Sequence, residues 1–263
     1  MSPLPPPDPH VALRDVCLRF GRREVFRGLD ASFDRGTISM VLGGSGSGKS
    51  TLLRLIGGLI RPDSGSILVA GQEVARCSAR TLQAVRQKLG MMFQGGALLD
   101  SLSIYDNLAL PLRERAHLRE PEVAEQVSRQ LAAVGLEDTE KLLPGQLSGG
   151  MIKRAALARA LIASPEILLC DEPFSGLDPV TVYRIEALLV ALNRSLGMTL
   201  VVASHHIPST LRMADRLLML FDGRGISGTP AELFACDDER VREFLHEGVA
   251  AVPRQPLAAG GAS

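Results

Sequence analysis

The sequence has no excess of charge of either sign, because 29 lysine and arginine residues balance 29 aspartate and glutamate residues. A protein whose main partner is nucleic acid usually carries a basic footprint, so this balance argues against nucleic acid as that partner, although a local basic patch is compatible with it. Of the 263 residues, 46% are hydrophobic, which is enough to bury a sizeable core and excludes disorder of the whole chain.

Cysteine pairs and long apolar runs are also lacking. The four scattered cysteines form no CxxC pair, so neither a zinc site nor a disulfide framework is indicated, and single buried thiols in a reducing compartment are expected. They are Cys17, Cys77, Cys170 and Cys236. No uninterrupted apolar stretch has the length of a membrane span, and the Pro-rich start MSPLPPPDPH lacks the apolar segment of a secretory signal. We expect a soluble protein, or one that reaches a membrane by docking to a partner.

Strands and helices alternate along most of the chain. Two stretches of alternating polarity, VALRDVCLRF and EVFRGLDASF, are typical of antiparallel strands, and the apolar runs TISMVLG, PEILLCDEP and MTLVVASHH are typical of buried parallel strands. Helices are predicted over KSTLLRLIGGL, SARTLQAVRQKL, EPEVAEQVSRQLAAVGL and PVTVYRIEALLVALNRSLG. This order predicts an α/β fold with a mostly parallel sheet that carries helices on its faces.

Three segments differ from this alternation. Residues 1–10 are predicted to form a disordered arm, because they are rich in proline, and the small-residue end of the chain, 248–263, is predicted to be a flexible tail. Within the intervening domain, 11–247, the segment at about 95–163 is predicted to be a helical insertion. We therefore expect one domain with a helical insertion and two flexible ends.

A glycine-rich stretch, GGSGSGKST, lies between a predicted strand and a predicted helix. Gly43, Gly48, Lys49 and Ser50 match the phosphate-loop pattern G-x-x-x-x-G-K-[ST] in the context that gives the pattern its meaning. Glycines let backbone N–H groups turn toward phosphate oxygens, and the N-terminus of the next helix adds a positive dipole. Lys49 is then expected to contact the β- and γ-phosphates and the Ser50 hydroxyl to ligate Mg²⁺. The alternative is a flexible turn before a helix.

Two acidic residues, Asp171 and Glu172, directly follow the buried strand ILLC. The end of a strand beside a phosphate loop is where an open α/β sheet places its ligand chemistry. We expect Asp171 to hold Mg²⁺ through water and Glu172 to polarise the attacking water as a general base. A strand that simply ends in polar residues is the alternative, which the neighbouring phosphate loop disfavours.

Gln94 and the pair His205 and His206 also follow short apolar strands. A neutral amide can reach a Mg²⁺ shell or orient water without adding charge, and a histidine at the carboxyl edge of a sheet can donate to a γ-phosphate. The alternatives are a surface glutamine and a structural histidine. Of the two histidines, the position directly after the strand favours His205.

A second glycine turn, formed by Ser148, Gly149 and Gly150, lies in QLSGGMIKRAALARAL directly before a helix with a basic start. A Ser-Gly-Gly turn at a helix N-terminus can cradle an anion. The chain thus contains two turns that can face phosphate, roughly a hundred residues apart.

In their order along the chain, these motifs resemble those of the nucleotide-binding domains of ABC transporters, over roughly residues 11–245. GGSGSGKST is similar to the Walker A loop, Gln94 to the Q-loop glutamine and LSGGM to the ABC signature. ILLCDE is similar to Walker B with its catalytic glutamate, SGLD to the D-loop and His205 to the switch histidine. The resemblance implies a P-loop NTPase with a RecA-like parallel-sheet core, an antiparallel β subdomain and a helical subdomain.

The resemblance also implies an ATPase that uses ATP and Mg²⁺, with Glu172 and His205 as its catalytic residues. The implied magnesium ligands are Ser50, Gln94 and Asp171. The implied nucleotide-binding residues are Phe20, which stacks on adenine, and Gly43, Gly44, Ser45, Gly46, Ser47, Gly48, Lys49, Ser50, Thr51, Gln94, Ser148, Gly149, Gly150 and Asp178. In the family, the signature residues act from the opposite subunit of a head-to-tail homodimer. Two residues depart from the family pattern, because Met151 stands where most members have Gln and His206 where Asp usually follows the switch histidine.

Longer stretches resemble one branch of the family, the ATP-binding subunits of Mla-type (MCE-associated) phospholipid transporters. These stretches are TLLRLIGGLIRPDSGSILVAG, FQGGALLDSLSIYDNLALPLRE, LSGGMIKRAALARAL and DEPFSGLDP. The resemblance implies a peripheral protein on the cytoplasmic face of the bacterial inner membrane, which serves an integral-membrane permease and a periplasmic MCE lipid-binding protein and has phospholipid as its transported substrate. It places the permease contact near Gln94 and LLDSLSIYDNLALPL.

Three other functions are compatible with parts of the sequence. An amino-acid, metal or other small-solute importer shares most of the motifs. A soluble ABC ATPase of translation or DNA repair usually has two cassettes or a long coiled-coil insert, whereas this chain has one cassette, no heptad array and no basic excess. An ATP-independent scaffold does not need catalytic groups, whereas Lys49, Asp171 and Glu172 are all present.

Overall fold

The computed structural model describes residues 9–115 and 118–250 of the chain. The N-terminal strands form a four-stranded antiparallel sheet in the order β2-β1-β4-β5. Its strands are β1 (Pro9–Phe20), β2 (Arg23–Asp34), β4 (Ser64–Val69) and β5 (Gln72–Glu73). The antiparallel pairing of β1 and β2, which the alternating polarity of the two stretches predicts, is confirmed.

A second sheet has six strands in the order β10-β9-β3-β8-β7-β6 and is parallel except for the edge strand β10. Its strands are β3 (Ile38–Leu42), β6 (Leu89–Met92), β7 (Ile167–Asp171), β8 (Thr199–Ala203), β9 (Arg216–Phe221) and β10 (Arg224–Gly228). Every residue of β3, β7 and β8 is buried, as their unbroken apolar composition predicts. Because Val41 and Asp171 both pair with Ala203, the carboxyl ends of these strands meet at one edge of the sheet.

Helices cover both faces of the parallel sheet and also form a helical layer of their own. They are α1 (Lys49–Ile56), α2 (Ala79–Gln87), α3 (Ile104–Arg115), α4 (Glu120–Ala133), α5 (Gly149–Leu161), α6 (Pro179–Leu196), α7 (Ile207–Met213), α8 (Pro230–Phe234) and α9 (Glu239–Ala250). The four predicted helices that are written out as sequences correspond to α1, α2, α4 and α6, and the helix predicted after the second glycine turn is α5. The predicted α/β fold class is therefore confirmed.

Three groups of buried side chains hold these layers together. The first lies between the two sheets and includes Phe26 and Phe33, the second lies under α6 and α7 on the opposite face of the parallel sheet, and the third lies among α3, α4 and α5. Helix α5 contributes Leu157 to the second group and Ala158 to the third, so it joins the helical layer to the sheet. Each fully buried leucine or phenylalanine stabilises the fold by roughly 1.5–3 kcal/mol.

The two ends of the chain are ordered further than their composition predicts. Residues 9 and 10 of the predicted arm start β1, where His10 is buried and its Nδ1 lies 2.8 Å from Thr199 Oγ1. Residues 248–250 of the predicted tail belong to α9. At the N-terminal end, the contact of His10 with Thr199 joins segments far apart in the sequence, which composition does not reveal. The rest of both predictions, 1–8 and 251–263, lies outside the described residues.

Two absences predicted from the sequence can be compared with the structure. All four cysteines are free, but only Cys170 is fully buried, and burial raises the pKa of its thiol to about 12. Because Cys17, Cys77 and Cys236 are half-buried, the expectation of buried thiols is correct for one of the four. Across 9–115 and 118–250, none of the helices has both the length and the hydrophobicity that a membrane crossing requires.

Candidate functional site

The glycine-rich loop between β3 and α1, residues 43–51 and here called the phosphate loop, fits tightly against the core behind it. Gly43 and Gly48 have φ values of 147° and 103°, which side chains rarely adopt. A Cβ on Gly43 would lie 2.8 Å from the Leu220 carbonyl oxygen, and one on Gly48 would lie 2.9 Å from the Phe26 ring. The fold itself therefore requires glycine at both positions.

Lys49 opens α1 and places its ammonium group over the phosphate loop. Its Nζ donates to the Gly43 carbonyl at 2.8 Å and to the Gly44 carbonyl at 3.2 Å. Arg23 supports the loop from the β1–β2 hairpin, because its guanidinium donates to the Gly46 carbonyl at 2.7 Å. A lysine over a glycine loop and the N-terminus of a helix both favour a bound anion.

The phosphate loop forms one wall of a cleft of about 760 Å³. The predicted site residues that line it are Phe20, Gly43, Gly44, Ser45, Gly46, Ser47, Gly48, Lys49, Ser50, Thr51, Gln94, Glu172 and His205. The lining also includes Arg23, Val25, Ile207 and Phe244, which the sequence analysis did not identify. Arg23 could have been predicted as a cleft residue, because it lies beside Phe20 in the β1–β2 hairpin. Phe244 comes from α9, and nothing in its local sequence indicates that it reaches the cleft.

Ser50 and Asp171 meet at the base of the phosphate loop. The Ser50 hydroxyl donates to Asp171 Oδ1 at 2.9 Å, and Asp171 is only 3% exposed. Burial raises the pKa of the Asp171 carboxyl group, and the hydrogen bond from Ser50 and the charge of Lys49 oppose this shift. Gln94 lines the same cleft.

This donor set fits Mg²⁺. The metal prefers oxygen ligands and, beside nucleotides, takes only one or two carboxylates and completes its shell with phosphate oxygens and water. Ser50, Gln94 and Asp171 offer one hydroxyl, one amide and one carboxylate. A denser cluster, of three or more His, Cys, Asp or Glu side chains that could hold a metal, is not found in the described part of the chain.

Glu172 follows Asp171 in a left-handed backbone conformation with φ of 51°. Its N–H donates to the Ala203 carbonyl at 2.8 Å, and its carbonyl accepts from Lys153 Nζ at 2.6 Å and from Ser175 Oγ at 3.1 Å. Such a conformation costs a non-glycine residue roughly 1–2 kcal/mol and persists where the surroundings fix it, often at functional sites. The strained residue is the acid that lines the cleft.

The two histidines after β8 have different surroundings. His205 lines the cleft, with Nδ1 2.8 Å from Glu172 Oε2. His206 instead caps α7, because its Nδ1 accepts the Ser209 N–H at 3.2 Å, and its ring lies 6.0 Å from that of Phe174. His205 is therefore the histidine that faces the cleft, whereas His206 holds the start of a helix.

The signature turn, formed by Ser148, Gly149 and Gly150, does not line the cleft of its own chain. Ser148 caps α5, with its hydroxyl accepting the backbone N–H three residues later at 3.3 Å, and both Ser148 and Gly149 are exposed. Asp178 likewise caps α6 by accepting two backbone N–H groups at 3.0 Å. The structure thus divides the predicted nucleotide-binding residues into a cleft and a separate exposed surface.

Most of the chain is similar to known proteins. The family described as ABC transporter matches residues 26–175. The chain is 44% identical, over 92% of its length and 90% of the relative, to the intermembrane phospholipid transport system ATP-binding protein MlaF of Escherichia coli strain K12. It is 41% identical, over 86% of its length and 64% of the relative, to the probable ribonucleotide transport ATP-binding protein mkl of Mycobacterium tuberculosis strain H37Rv. A dimeric post-hydrolysis structure of the ATP-binding cassette MJ0796, bound to ADP and Pi, matches with a TM-score of 0.78 and 32% identity, over 83% of this chain and 98% of that chain.

Proposed function

The chain belongs to the ABC transporter family as one of its ATP-binding ATPase subunits, and we propose that it powers the movement of phospholipid between two membranes. The observation that carries the chemistry is the convergence of the phosphate loop, Glu172 and His205 in one cleft. The choice of cargo rests on the similarity to MlaF, which is named for intermembrane phospholipid transport and is similar over most of both chains.

In this proposal, ATP lies in the cleft with its base against Phe20 and its phosphates in the phosphate loop. Phe20 is 53% exposed at the end of β1, so its ring is accessible for stacking on adenine. Lys49 Nζ exchanges the loop carbonyls that it now contacts for β- and γ-phosphate oxygens, which are stronger acceptors. The same residues therefore bind and orient the phosphates.

Ser50, Gln94 and Asp171 are the residues that would hold Mg²⁺. When bound, the metal neutralises charge on the phosphates. The hydrogen bond between Ser50 and Asp171 keeps two of the ligands side by side. Because burial raises the pKa of Asp171, a cation beside it favours the charged form of the carboxyl group.

Glu172 and His205 act on the water that hydrolyses ATP. The water oxygen attacks the γ-phosphorus, the bond from that phosphorus to the ADP oxygen breaks, and Glu172 accepts the proton of the water. Nδ1 of His205 lies 2.8 Å from Glu172 Oε2, which leaves the opposite ring nitrogen to donate to a γ-phosphate oxygen. The fixed backbone of Glu172 keeps its carboxylate ready for this step.

The exposed signature turn and Asp178 complete the site of a second copy of the chain. Two copies arranged head to tail about a two-fold axis place the signature turn of each against the γ-phosphate held by the other. The exposed position of Ser148 and Gly149, outside the cleft of their own chain, supports this arrangement. Each nucleotide then receives one glycine turn from each subunit, and hydrolysis releases the two subunits.

The subunit reaches its membrane through a permease. Exposed apolar side chains of the segment 98–112, namely Leu99 and Leu110, support docking of an integral-membrane partner near Gln94. We place the ATPase on the cytoplasmic face of a bacterial inner membrane, with a periplasmic MCE lipid-binding protein on the other side. Nucleic acid is not a partner in this proposal.

Purification of the tagged chain from its own bacterium, with the membrane proteins that accompany it, tests this function. In liposomes we expect the complex to move a fluorescent phospholipid only when ATP is supplied. Glu172→Gln should reduce hydrolysis by about 10²–10⁴-fold, because the amide cannot accept the proton, and should abolish lipid movement while ATP still binds. ATP-driven uptake of an amino acid or a metal ion without lipid movement would identify a small-solute importer instead.

A further inference from the structure

The cations of helix α5 donate to backbone carbonyls of other segments. Arg154 donates to the Val134 carbonyl at 2.8 Å, at the end of α4, and Arg159 donates to the Gly96 carbonyl at 2.9 Å. Lys153 donates to the Glu172 carbonyl at 2.6 Å. The basic residues of α5 therefore hold other parts of the chain and do not face the open side of the signature turn.

Lys153 is the most unusual of the three, because its ammonium group is buried. The residue is 8% exposed, and burial lowers the pKa of its amine, while the charges of Glu172 and Asp171 act in the opposite direction. A buried charge is costly unless it is paired and hydrogen-bonded. Besides the Glu172 carbonyl, Nζ donates to Ser175 Oγ at 2.9 Å. The Lys153 side chain thus donates its hydrogen bonds to the segment that contains Glu172, the proposed general base.

These contacts fix the backbone on both sides of Glu172. The Glu172 N–H donates to the Ala203 carbonyl of β8, and the Glu172 carbonyl accepts from Lys153 Nζ and from Ser175 Oγ. Rotation of this backbone out of its left-handed conformation would relieve strain and swing the carboxylate away from His205. Lys153 opposes that rotation.

The same lysine lies one helical turn after the signature turn. Helix α5 is continuous from Gly149 to Leu161, so the turn and Lys153 move together. We propose that Lys153 is a positioning residue that holds Glu172 in its hydrolytic conformation and links it to the signature turn of its own chain. This inference rests on the proposed function, in which that turn touches the nucleotide of the partner subunit, so the lysine connects the two ATP sites of the dimer.

Lys153→Met tests the inference, because methionine keeps most of the apolar length and removes every donor. We expect kcat for ATP to fall at least about tenfold and KM to stay within about threefold, since a misplaced base slows chemistry without removing the phosphate loop. Lys153→Arg, which restores a donor, should recover kcat to within about threefold of the original value. Lys88→Met is the matched control, because the Lys88 ammonium group pairs with the exposed Glu166 at 3.6 Å, and it should leave both constants unchanged.

A double-mutant cycle tests the link to the turn. Ser148→Ala should reduce kcat by a smaller factor in the Lys153→Met background than in the original chain, because the path from the turn to Glu172 is already broken. Equal factors in both backgrounds would contradict the link. The positioning role would be overturned if kcat of Lys153→Met equalled that of the original chain, or if the methionine and arginine variants lost kcat equally.

Two further measurements keep the result interpretable. Melting curves and binding of a fluorescent ATP analogue show whether Lys153→Met is folded. If it is not, Ser175→Ala replaces it. That change removes one acceptor of Nζ and one donor to the Glu172 carbonyl and leaves the lysine, so we expect kcat to fall about two- to fivefold, and an original rate would overturn the inference. Hydrolysis by the original chain in the same assay tests the proposed function separately.

Discussion

The two glycine turns of this chain differ in what surrounds them. Gly43 and Gly48 of the phosphate loop have positive φ values and no room for a Cβ, because the core lies directly behind them. Neither glycine of the signature turn has a positive φ, and a Cβ built on Gly149 would meet no atom of the described residues within 4 Å, although one built on Gly150 would lie 3.2 Å from Thr181 Cγ2. Glycine is thus required in the first turn by the chain itself. At Gly149 of the second turn the space is open, and we infer that a second molecule fills it.

The neighbouring side chains differ in the same way. Around the phosphate loop, Lys49, Glu172 and His205 come from three different segments and converge on one cleft. Ser148 instead caps its own helix and is exposed. A site shared across a two-fold dimer requires each subunit to supply two surfaces, one with most of the catalytic groups and one that only completes the partner's site. The cleft and the signature turn fit these two descriptions.

Mixing two inactive variants gives the largest effect and can break this comparison. Lys49→Ala removes the phosphate contact and Ser148→Arg blocks the signature turn, so each variant alone should lose at least about 99% of its hydrolysis. A random mixture should recover about a quarter of the original rate, because half of the dimers are mixed and each has one intact composite site. Steady-state hydrolysis of the separate and mixed proteins measures this.

The mixture has two informative alternatives. If it stays as inactive as its components, the signature turn serves the nucleotide of its own chain. If recovery clearly exceeds a quarter, two sites are restored in each mixed dimer, and the head-to-tail arrangement is wrong. Arg129→Ala, at an exposed position of α4, is the control: it should keep the original rate when assayed alone and give about half of that rate when mixed with either inactive variant.

Alanine in place of each glycine has a smaller effect and sharpens the comparison. Gly48→Ala should destabilise the nucleotide-free protein by about 1–3 kcal/mol, because its Cβ meets the Phe26 ring at a positive φ. Gly149→Ala should not lower Tm, since its Cβ meets no atom of the described chain, but should reduce hydrolysis by about tenfold through contact with the partner's nucleotide. A rate equal to the original in Gly149→Ala would show that nothing covers that turn closely.

Much of the cleft was predictable from the sequence, because its motifs lie next to predicted strands and helices. The phosphate loop lies between a strand and a helix, as predicted, and the three buried strands β3, β7 and β8 bring the loop, Glu172 and His205 to the same edge. Local sequence is sufficient for these features because parallel strands end together.

Other features depend on contacts that no local pattern records. Phe244 reaches the cleft only through the packing of α9, and Lys153 meets Glu172 only because α5 lies beside the end of β7. Helix α3 is a different case, because the buried Ile104, Leu108 and Leu112 recur every four residues and could have located it. Pro111 within that helix obscures the pattern.

The smallest expected effect concerns His206, which belongs to the fold although its neighbour faces the cleft. Its Nδ1 must be unprotonated to accept the Ser209 N–H. Burial is the largest influence and lowers the pKa of His206 below its ordinary value of 6.5. Four neighbouring charged or titratable groups also act on it, namely Glu186 and Glu172, which raise the pKa, and Arg212 and His205, which lower it.

A lowered pKa means that the folded protein binds this proton less readily than the unfolded chain. The cap therefore contributes its full stability above about pH 6.5, and this contribution is lost as the pH falls through the folded-state pKa. His206→Ala should cost about 1 kcal/mol at pH 8, as for other N-cap removals, whereas His206→Asp should keep the cap at both pH 8 and pH 5.5. Melting curves at the two pH values measure this, and hydrolysis should change by less than about twofold in either variant because His205 still faces the cleft. A large loss of hydrolysis in His206→Asp would instead show that His206 belongs to the catalytic site.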